Sequence, residues 1–240
     1  MNRRASLPGV DELFGSRGGR PSPPAEQAPA THPDRAQRLD DAAHQTIRRL
    51  TATEDEVIVA ARRRAADVVA LPIPEVGALL RWAARTCAAR HIVEVGGAGG
   101  VTGVWLLTAL PERGVLTSIE PDPQAHGLAK ETYRGAGAGT RVRSIPGEAA
   151  TVLPRLADGS YDLIVLQGAR GDYPDDLVHA RRLLRPGGML IARGVLRVDE
   201  HGDAVGRFVE QLVEDPQFDA VVLPIDDGIA LATRRAEPDD

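Results

Sequence analysis

A glycine-rich segment at residues 91–103 carries the strongest sign of a binding site in the sequence. Its order is His-Ile-Val-Glu-Val-Gly-Gly-Ala-Gly-Gly-Val-Thr-Gly, an apolar strand that runs into glycines and then into a helix. Glycines allow the backbone to approach a ligand closely, and the unpaired N–H groups at a helix start point toward it. Any tight strand-to-helix turn also uses glycine, so this segment alone leaves a purely structural role open.

The spacing of these glycines bears on which nucleotide they suit. A dinucleotide site requires the pattern G-x-G-x-x-G. Counted from Gly96, the second glycine of that pattern falls on Ala98, and counted from Gly97, the third falls on Thr102. The spacing that fits is Glu94 followed by small residues at alternate positions, 96, 98 and 100. The sequence therefore disfavours NAD.

An acidic residue ends the next predicted strand, where a ribose would lie. The segment Gly-Val-Leu-Thr-Ser-Ile-Glu ends in Glu120, about 20 residues after Gly100. A carboxylate at this place can accept hydrogen bonds from both hydroxyls of a ribose. Capping of the following helix is the alternative role, and the glycine-rich segment before it favours ribose binding.

Alternating strands and helices from residue 91 onward position these side chains. Strands are predicted at 91–95, 115–120, 141–145, 161–166, 189–193, 220–223 and 229–233. Helices are predicted at about 101–110, 123–135, 149–157, 174–184 and 203–214. Such alternation indicates βαβ units on a parallel sheet with both faces covered. Only turn residues separate the last two strands, so this pair is predicted to be a hairpin.

Two helices are predicted before the first strand. Thr53 and Glu56 have the spacing of a capping box, so the first helix should begin near Thr53 and end before Pro72. The second covers about residues 75–89. The predicted fold is an α/β, Rossmann-like three-layer sandwich, with a seven-stranded, mostly parallel sheet whose last strand is antiparallel.

The composition limits the class of protein. The 240 residues carry a net charge of −5, which argues against a nucleic-acid or anionic-membrane partner. No apolar run is long enough to cross a membrane, and the N-terminus lacks the apolar region of a signal peptide, so we expect a cytoplasmic protein. Cys87 is the only cysteine, which excludes an internal disulfide and a cysteine-cluster metal site.

Residues 1–45 differ in composition from residues 46–240, which are expected to form one domain. They are rich in Pro, Gly, Ser and Arg and poor in large apolar side chains. Such a segment cannot bury enough surface to offset the entropy of ordering it, so the sequence predicts a disordered tail. A tail that binds a partner is the alternative.

Several segments in order resemble the class I S-adenosylmethionine (SAM)-dependent methyltransferases. The resemblance covers residues 53–235 and is strongest to small O-methyltransferases related to caffeoyl-CoA and catechol methyltransferases, including an actinobacterial branch. The turn Leu-Leu-Arg-Pro-Gly-Gly ahead of a strand is especially characteristic of these enzymes. The segments are PEVGALL at 74–80, EVGGAGGVT at 94–102, TSIE at 117–120, GEAATVL at 147–153, YDLI at 161–164, LLRPGGML at 183–190 and DG at 227–228.

This resemblance implies roles for the cofactor-binding candidates. Gly96 and Gly97 would contact the amino-acid part of SAM, with Glu94 beneath its ammonium and Thr102 on its carboxylate. Glu120 would hold the ribose hydroxyls. Glu148 and Ala149 would border the adenine, and Pro72 would close over the cofactor. The resemblance also implies a homodimer.

The sequence departs from the resembled family at its metal site. The family has an Asp-Ala-Asp-Lys run after the fourth strand and Asp-Asn at the end of the fifth. These positions here read Gln-Gly-Ala-Arg at 167–170 and Arg-Gly at 193–194. Mg²⁺ and Ca²⁺ need several hard oxygen ligands, preferably carboxylates, whereas Arg193 brings a positive charge. We therefore expect no metal ion, and we place Gln167 and Arg170 at the substrate.

The resemblance, together with the changed ligand positions, implies methyl transfer from SAM to a small-molecule hydroxyl without a metal ion. Because the sulfonium already activates the methyl group, the protein must hold the acceptor in line and promote loss of its proton. Arg193 is the candidate catalytic residue; pairing with a carboxylate such as Asp172 is its alternative role. Two other functions stay open. One is a non-catalytic SAM-binding sensor or partner protein, which the lost ligands favour. The other is an NAD-dependent oxidoreductase, which the glycine spacing opposes.

Overall fold

The computed structural model describes residues 41–197 and 202–236. The predicted tail lies outside these ranges except for residues 41–45, which are helical. Within the described ranges, every helix is either too short or too polar to span a bilayer.

Helices α1 (Asp41–Thr51), α2 (Glu56–Ala65) and α3 (Pro74–Thr86) precede the first strand. Helix α1 was not predicted from the sequence. The predicted capping box of Thr53 and Glu56 is wrong, because Asp55 caps α2: its side chain accepts a hydrogen bond from the Ile58 N–H at 2.9 Å. The Thr53 hydroxyl instead donates to the carbonyl of Arg49 at the end of α1. A short aspartate directly before the helix satisfies its free N–H groups, and Thr53 lies too far back to do so.

One sheet contains all seven strands of the described chain, in the order β3-β2-β1-β4-β5-β7-β6. Strands β1 to β5 are parallel, and β7 runs antiparallel to both β5 and β6. The predicted fold class is therefore confirmed. The strands are β1 His91–Val95, β2 Val115–Glu120, β3 Val142–Pro146, β4 Tyr161–Leu166, β5 Leu184–Arg193, β6 Phe218–Leu223 and β7 Ile229–Arg234.

The register of the central strands brings their carboxyl ends to one level. Val95 pairs with Ile119 on one side and with Leu166 on the other. The next residues, Gly96 and Gln167, and the strand-end residue Glu120 consequently meet at the same edge of the sheet. The strand order reverses between β1 and β4, and ligands of open α/β sheets bind at such a switch point.

Alternate side chains of each buried strand feed two apolar clusters, one on each face. Ile92 packs with helices α2 and α3 and with α4 (Val101–Leu107) and α5 (Pro123–Gly135). Val93 packs on the opposite face with α6 (Ala149–Val152), α7 (Tyr173–Leu183) and α8 (Gly202–Glu214). This alternation gives the three layers predicted from the sequence.

Asp162 ties the start of β4 to the start of β1. Its Oδ2 accepts hydrogen bonds from the backbone N–H groups of Arg90 and His91 at 2.7 and 2.8 Å, and its Oδ1 pairs with Arg185. Burial alone would raise the pKa of Asp162, but these donors together lower it below its ordinary value. The carboxylate therefore braces the amino end of the sheet, far from the switch point.

Candidate functional site

The glycine-rich turn after β1 forms one wall of the site. Gly96 and Gly100 have φ angles of 75° and 87°, a region that side chains other than glycine rarely adopt. A Cβ atom on Gly96 would lie 2.8 Å from the backbone nitrogen of Gly168. Position 96 therefore requires glycine for both its conformation and its space, because the backbone after β4 passes directly against it.

Glu94 lies fully buried beneath this turn. A Cβ atom on Gly97 would approach its Oε2 to 2.7 Å, which places the carboxylate directly under the loop. The Thr102 hydroxyl donates to Oε1 at 2.6 Å, and the Tyr133 hydroxyl lies 3.3 Å from Oε2. Burial raises the pKa of Glu94 to about 7, although these hydrogen bonds oppose the shift. All of its described partners are neutral, so the carboxylate has no cation beside it in this part of the chain.

Thr102 and Gln167 complete the buried network around Glu94. The Gln167 Nε2 donates to the Thr102 hydroxyl oxygen at 3.1 Å and lies 3.3 Å from Glu94 Oε1. Because Thr102 has given its only hydrogen to Glu94, it can only accept from Gln167, and this sets the orientation of the amide. Gln167 Oε1 is buried without a hydrogen-bond partner among the described residues. The role of Thr102 on the carboxylate of SAM stays a prediction, since its hydroxyl is committed to Glu94 here.

Glu120 forms the second acidic feature of the site. It is 9% exposed and lines the cavity together with Pro121. Its Oε1 accepts a long hydrogen bond, 3.3 Å, from the Asp122 N–H. Burial raises the pKa of Glu120, against the effect of nearby backbone N–H groups. The helix cap is Asp122, whose side chain accepts from the Ala125 N–H at 2.7 Å. Glu120 is therefore not the side chain that caps α5, and this favours the predicted ribose role.

The opposite wall of the cavity is basic. Arg193, at the end of β5, pairs through its Nε with Asp226 Oδ2 at 3.1 Å. Arg193 thus does pair with a carboxylate, as its alternative role predicted, but the partner is Asp226, which the turn between β6 and β7 brings to it, and not Asp172. Arg170 crosses Gly194, where a Cβ atom would lie 3.1 Å from the Arg170 Cδ. The positive φ of Gly194, 78°, and the absence of a side chain make room for this crossing.

Backbone hydrogen bonds hold this basic wall in place. The Gly194 N–H donates to the carbonyl of Gly228 at 2.7 Å, and the Leu196 N–H donates to that of Asp227 at 2.9 Å. The buried Tyr173 hydroxyl lies 3.0 Å from the carbonyl oxygen of Leu166 and 2.9 Å from that of Arg193, joining the ends of β4 and β5. These hydrogen bonds therefore fix the backbone from which the arginine side chains of the wall extend.

A single cavity of about 270 Å³ joins these walls. Of the predicted site residues, Gly96, Glu120, Gln167, Arg170 and Arg193 line it. Four more lining residues, Ala98, Gly168, Ala169 and Gly194, belong to the segments that the sequence pointed to, although no role was assigned to them. The lining residues that were not predicted are Val69, Ala70, Pro121, Arg197 and Asp227. The Asp-Gly pair at 227–228 predicted the hairpin, but it did not predict that this hairpin lies at the cavity.

Besides Glu94, Gly97 and Thr102, three more predicted cofactor residues lie outside this lining. Pro72 is buried, and its carbonyl oxygen accepts from Arg62; Val69 and Ala70 of the same segment reach the cavity instead. Glu148 is exposed and Ala149 buried at the start of α6. The preceding residue, Gly147, donates to the carbonyl of Glu120 at 3.1 Å, so this turn lies beside the ribose candidate. The contacts predicted for these three residues stay predictions.

The donor set of the cavity does not fit a divalent cation. The positions where the resembled enzymes carry acidic or amide ligands hold Gln167, Ala169, Arg193 and Gly194. In the described ranges, no three His, Cys, Asp or Glu side chains cluster so that they could hold a metal ion. The carboxylate nearest to Arg193 is already paired with it, which disfavours a cation further.

A glycine-rich turn and an acidic strand end at the switch point of a Rossmann-like sheet are typical of nucleoside-binding proteins. The chain belongs to the O-methyltransferase family, whose model matches residues 52–235. A Mycobacteroides abscessus protein named "Putative O-methyltransferase" is 42% identical over 193 residues, covering 76% of this chain and 90% of that protein. The predicted family and enzyme class are confirmed, and the match opposes the oxidoreductase alternative.

Solved structures of O-methyltransferases share the fold. TomG from Streptomyces achromogenes, which is involved in tomaymycin synthesis and was solved in complex with SAM, is 26% identical with a TM-score of 0.74; the match covers 81% of this chain and 96% of TomG. The Bacillus cereus O-methyltransferase solved with SAH is 22% identical with a TM-score of 0.75, over 81% and 97% of the two chains. The second likeness shows the fold alone.

Proposed function

We propose that this protein transfers the methyl group of SAM to a hydroxyl oxygen of a small molecule without a metal ion. The observation that carries the proposal is one cavity with a glycine wall and Glu120 at one end and Arg193 at the other. Bound SAM would supply a methyl group that its sulfonium already activates. The SAM complex of TomG, a related enzyme, supports this choice of cofactor.

The residues of the glycine wall would bind and orient the cofactor. Glu120 has carboxylate lone pairs for the ribose hydroxyls, because its hydrogen-bond donors in the described chain are backbone N–H groups, those of Asp122 at 3.3 Å and of Gly97. Glu94, which lacks a cationic partner among those residues, would gain one in the cofactor ammonium. Both interactions are charge-assisted, and in a buried site they are stronger than neutral hydrogen bonds.

Arg193 would stabilise the acceptor oxygen as it loses its proton. Its side chain is mostly buried, so the positive charge acts in a site of low dielectric, and Asp226 holds the guanidinium in one orientation. This is the electrostatic task that a metal ion performs in related enzymes of the metal-dependent kind. A preformed positive charge at fixed geometry requires little reorganisation during the reaction.

Chelation tests the metal-free part of the proposal. Turnover should be unchanged after dialysis against EDTA and should not rise when Mg²⁺ or Ca²⁺ is added, because residues 41–197 and 202–236 contain no carboxylate cluster to bind the ion. The control is a metal-dependent O-methyltransferase treated in parallel. Activity that disappears with EDTA and returns with Mg²⁺ would refute the metal-free mechanism.

Substitution of Arg193 tests its catalytic role. Arg193→Ala should lower kcat while leaving the affinity for S-adenosylhomocysteine (SAH) nearly unchanged, since Arg193 lies at the opposite wall from Glu120. Loss of one oxyanion-stabilising donor commonly lowers kcat by about 100- to 1,000-fold. Calorimetry with SAH and steady-state kinetics on the same preparation separate the two effects. Equal loss of SAH binding and turnover would show that Arg193 only holds the fold of the site.

A non-catalytic SAM-binding protein is the second candidate function. The pairing of Arg193 with Asp226 favours it, because an ion pair at a former ligand position can serve the structure alone. Tight SAH binding without methyl transfer to any hydroxyl acceptor in a broad panel would support this candidate. Methyl transfer at a rate that depends on Arg193 would exclude it.

The proposal includes a homodimer in the cytoplasm. Two large apolar side chains, Leu50 on α1 and Trp82 on α3, are 68% and 56% exposed, and the Arg81 side chain donates to the carbonyl of Thr51 at 3.0 Å, linking these helices. Exposed apolar side chains on linked helices are typical of interfaces. Light scattering on the wild type and on Trp82→Glu would show whether this surface joins two copies.

A further inference from the structure

A second cavity, of about 230 Å³, lies at the amino ends of the strands. The first residues of β1, β2 and β4, which are His91, Val115 and Tyr161, all line it. A strand of five or six residues is about 17–20 Å long, so this amino-end cavity and the cavity at Glu120 lie at opposite ends of the same strands. The proposed methyl transfer uses none of its residues.

The amino-end cavity exists because the helix over this face of the sheet is short. Val115 and Thr117 lie on the same face of β2 as Ile119, the face that α6 covers. The four residues of α6 and the 3₁₀ turn after it, Leu153–Arg155, extend about 12 Å, whereas β2 extends about 20 Å. Helix α6 therefore does not reach the amino end of this face, and the cavity opens there.

Two buried hydroxyl groups in this cavity have no hydrogen-bond partner in the described chain. Thr117 is 3% exposed and Tyr161 is 8% exposed, and both line the cavity. Neither side chain makes a hydrogen bond to a residue within 41–197 or 202–236. The other buried tyrosines, Tyr133 and Tyr173, each contact two polar groups through their hydroxyls. Because a buried polar group without a partner lowers stability, the two hydroxyls of the cavity call for a ligand that completes them.

Arg143 brings a positive charge to these hydroxyls. It pairs in register with Thr117 on the neighbouring strand, so both side chains lie on the same face of the sheet. Arg143 also acts on Tyr161: burial raises the pKa of the Tyr161 hydroxyl, and the charges of Arg143 and Arg182 oppose this shift. The Arg143 guanidinium makes no hydrogen bond or ion pair with any residue that the structure describes. Its donors are therefore available on the cavity side.

The carboxylates near the cavity are already paired. Within the described chain, the lining contains no Asp or Glu. Asp162, the neighbour of Tyr161, accepts from two backbone N–H groups and pairs with Arg185. Asp158 pairs with Arg182, which balances the second positive charge near Tyr161. The lining therefore offers cationic and hydroxyl donors with no carboxylate of its own to accept from them.

The remaining wall of the cavity is a turn that α7 holds in place. Arg182 of α7 donates to the carbonyls of Leu153 and Leu156 at 2.6 and 3.0 Å. Ala157 and Ser160, which follow in the same turn, line the cavity. The wall is thus formed before any ligand binds, and a preformed site lowers the entropy cost of binding.

We infer that the amino-end cavity binds a small organic anion through its carboxylate or phosphate group. The Arg143 guanidinium donates two parallel hydrogen bonds to the anion, and the hydroxyls of Thr117 and Tyr161 donate to its remaining lone pairs. Val115 and Ala157 contact the apolar part of the ligand. At about 30 Å³ per water, the cavity has room for an anion of on the order of ten non-hydrogen atoms. The inference does not depend on methyl transfer.

Calorimetry on the full chain with a matched acid and amide tests this inference. The anionic probes are benzoate, phenyl phosphate and inorganic phosphate, and benzamide has the shape of benzoate without its charge. At least one anion should bind about tenfold or more tighter than benzamide, the size of one charge-assisted hydrogen bond. Tighter binding of benzoate identifies a carboxylate site, and tighter binding of the phosphates a phosphate site. The anion and SAH should bind together, because the two cavities lie at opposite ends of the strands.

Single substitutions link the binding to this cavity. Arg143→Gln, Thr117→Val and Tyr161→Phe each remove donors, and each should weaken the anion by about tenfold or more. Thr117→Val and Tyr161→Phe keep the shape of the side chain, and they should not lower the melting temperature, because these hydroxyls have no partner to lose in the described chain. Arg155→Gln is the matched control: Arg155 is exposed outside the cavity, and the change in net charge is the same. It should bind the anion as the wild type does.

Four outcomes would overturn the inference. No anionic probe binds at millimolar concentration, or none binds more tightly than benzamide. SAH displaces the anion, which would place it in the other cavity. The anion binds equally well to the wild type, Arg143→Gln and Tyr161→Phe. Failure of the proposed function would look different, because absent methyl transfer or absent SAH binding leaves these titrations unchanged.

Discussion

Replacing Glu94 by Gln should stabilise the folded protein at pH 8 and at the same time weaken its binding of SAH. Glu94 is fully buried, and its partners in the described chain are the neutral groups of Thr102, Tyr133 and Gln167. A glutamine has nearly the same shape but carries no charge. The substitution therefore removes an isolated negative charge from the interior while keeping the packing under the glycine turn.

The size of the stabilisation follows from the pKa of Glu94, which burial raises from 4.5 to about 7. Below pH 4.5 the carboxyl is protonated in both the folded and the unfolded state, so the raised pKa has no effect on stability. Between pH 4.5 and 7 the unfolded chain ionises first, and the free energy of unfolding falls by about 1.4 kcal/mol per pH unit. Above pH 7 the loss is constant at about 3 kcal/mol.

The same pKa predicts a pH dependence of cofactor binding. An ammonium above the turn is stabilised by the ionised form of Glu94, which is about a tenth of the molecules at pH 6 and most of them at pH 8. The apparent SAH affinity should therefore rise about tenfold from pH 6 to pH 8. In Glu94→Gln the affinity should be weaker at pH 8 and independent of pH over this range.

Urea unfolding and SAH calorimetry at pH 5, 6, 7 and 8 measure both effects. The free energy of unfolding of Glu94→Gln minus that of the wild type should increase by about 3 kcal/mol from the lowest to the highest pH. Altered hydrogen bonds in the variant add an offset that does not depend on pH, so they do not affect this increase. Glu112→Gln, an exposed glutamate, should show almost no growth. A difference that stays constant with pH would refute the raised pKa, and wild-type SAH affinity in Glu94→Gln at pH 8 would refute its role at the ammonium.

Three further predictions concern Glu120, Asp162 and the N-terminal segment. Glu120→Ala should weaken SAH binding by about 10- to 100-fold in calorimetry, because it removes charge-assisted hydrogen bonds to the ribose; equal affinities at equal folded fraction would remove Glu120 from the site. Asp162→Asn should lower the free energy of unfolding at pH 7 by about 1–3 kcal/mol with SAH affinity unchanged, and the difference should shrink as the pH falls through the lowered pKa of Asp162. Removal of residues 1–40 should leave the melting temperature unchanged, as their proline-rich composition predicts; a large decrease would show that they pack on the domain.

Local patterns along the chain were sufficient to predict the fold and five of the 14 residues that line the cavity. Gly96 directly follows β1, and Glu120 is the last residue of β2. Both residues could be predicted because the carboxyl ends of parallel strands meet at one edge of the sheet. Tyr133 and Arg197 were not predicted as site residues. Tyr133 lies on α5, where the sequence pattern indicates only which face of the helix is buried. Arg197 follows β5, where the sequence indicates only that the strand ends in a turn. The cap of α2 was assigned to Thr53, although Asp55 also fits the pattern of a helix start. Only α1 distinguishes the two, because the Thr53 hydroxyl donates to the carbonyl of Arg49 in α1. Since α1 was not predicted, the wrong cap was chosen.

The hairpin between β6 and β7 shows why the sequence positions of the lost ligands do not by themselves decide whether the cavity can bind a metal ion. The sequence shows that those positions lost their carboxylates, but it does not show that the turn brings Asp226 and Asp227 back to the same cavity. Two carboxylates near a cofactor could by themselves suggest a cation site. They lie against Arg193 and Arg197, however, at 3.1 and 3.8 Å, so both carboxylates are already paired with guanidinium groups. The hairpin therefore orients arginines where the resembled enzymes bind a cation. This placement supports our proposal that Arg193 performs the electrostatic task of the ion.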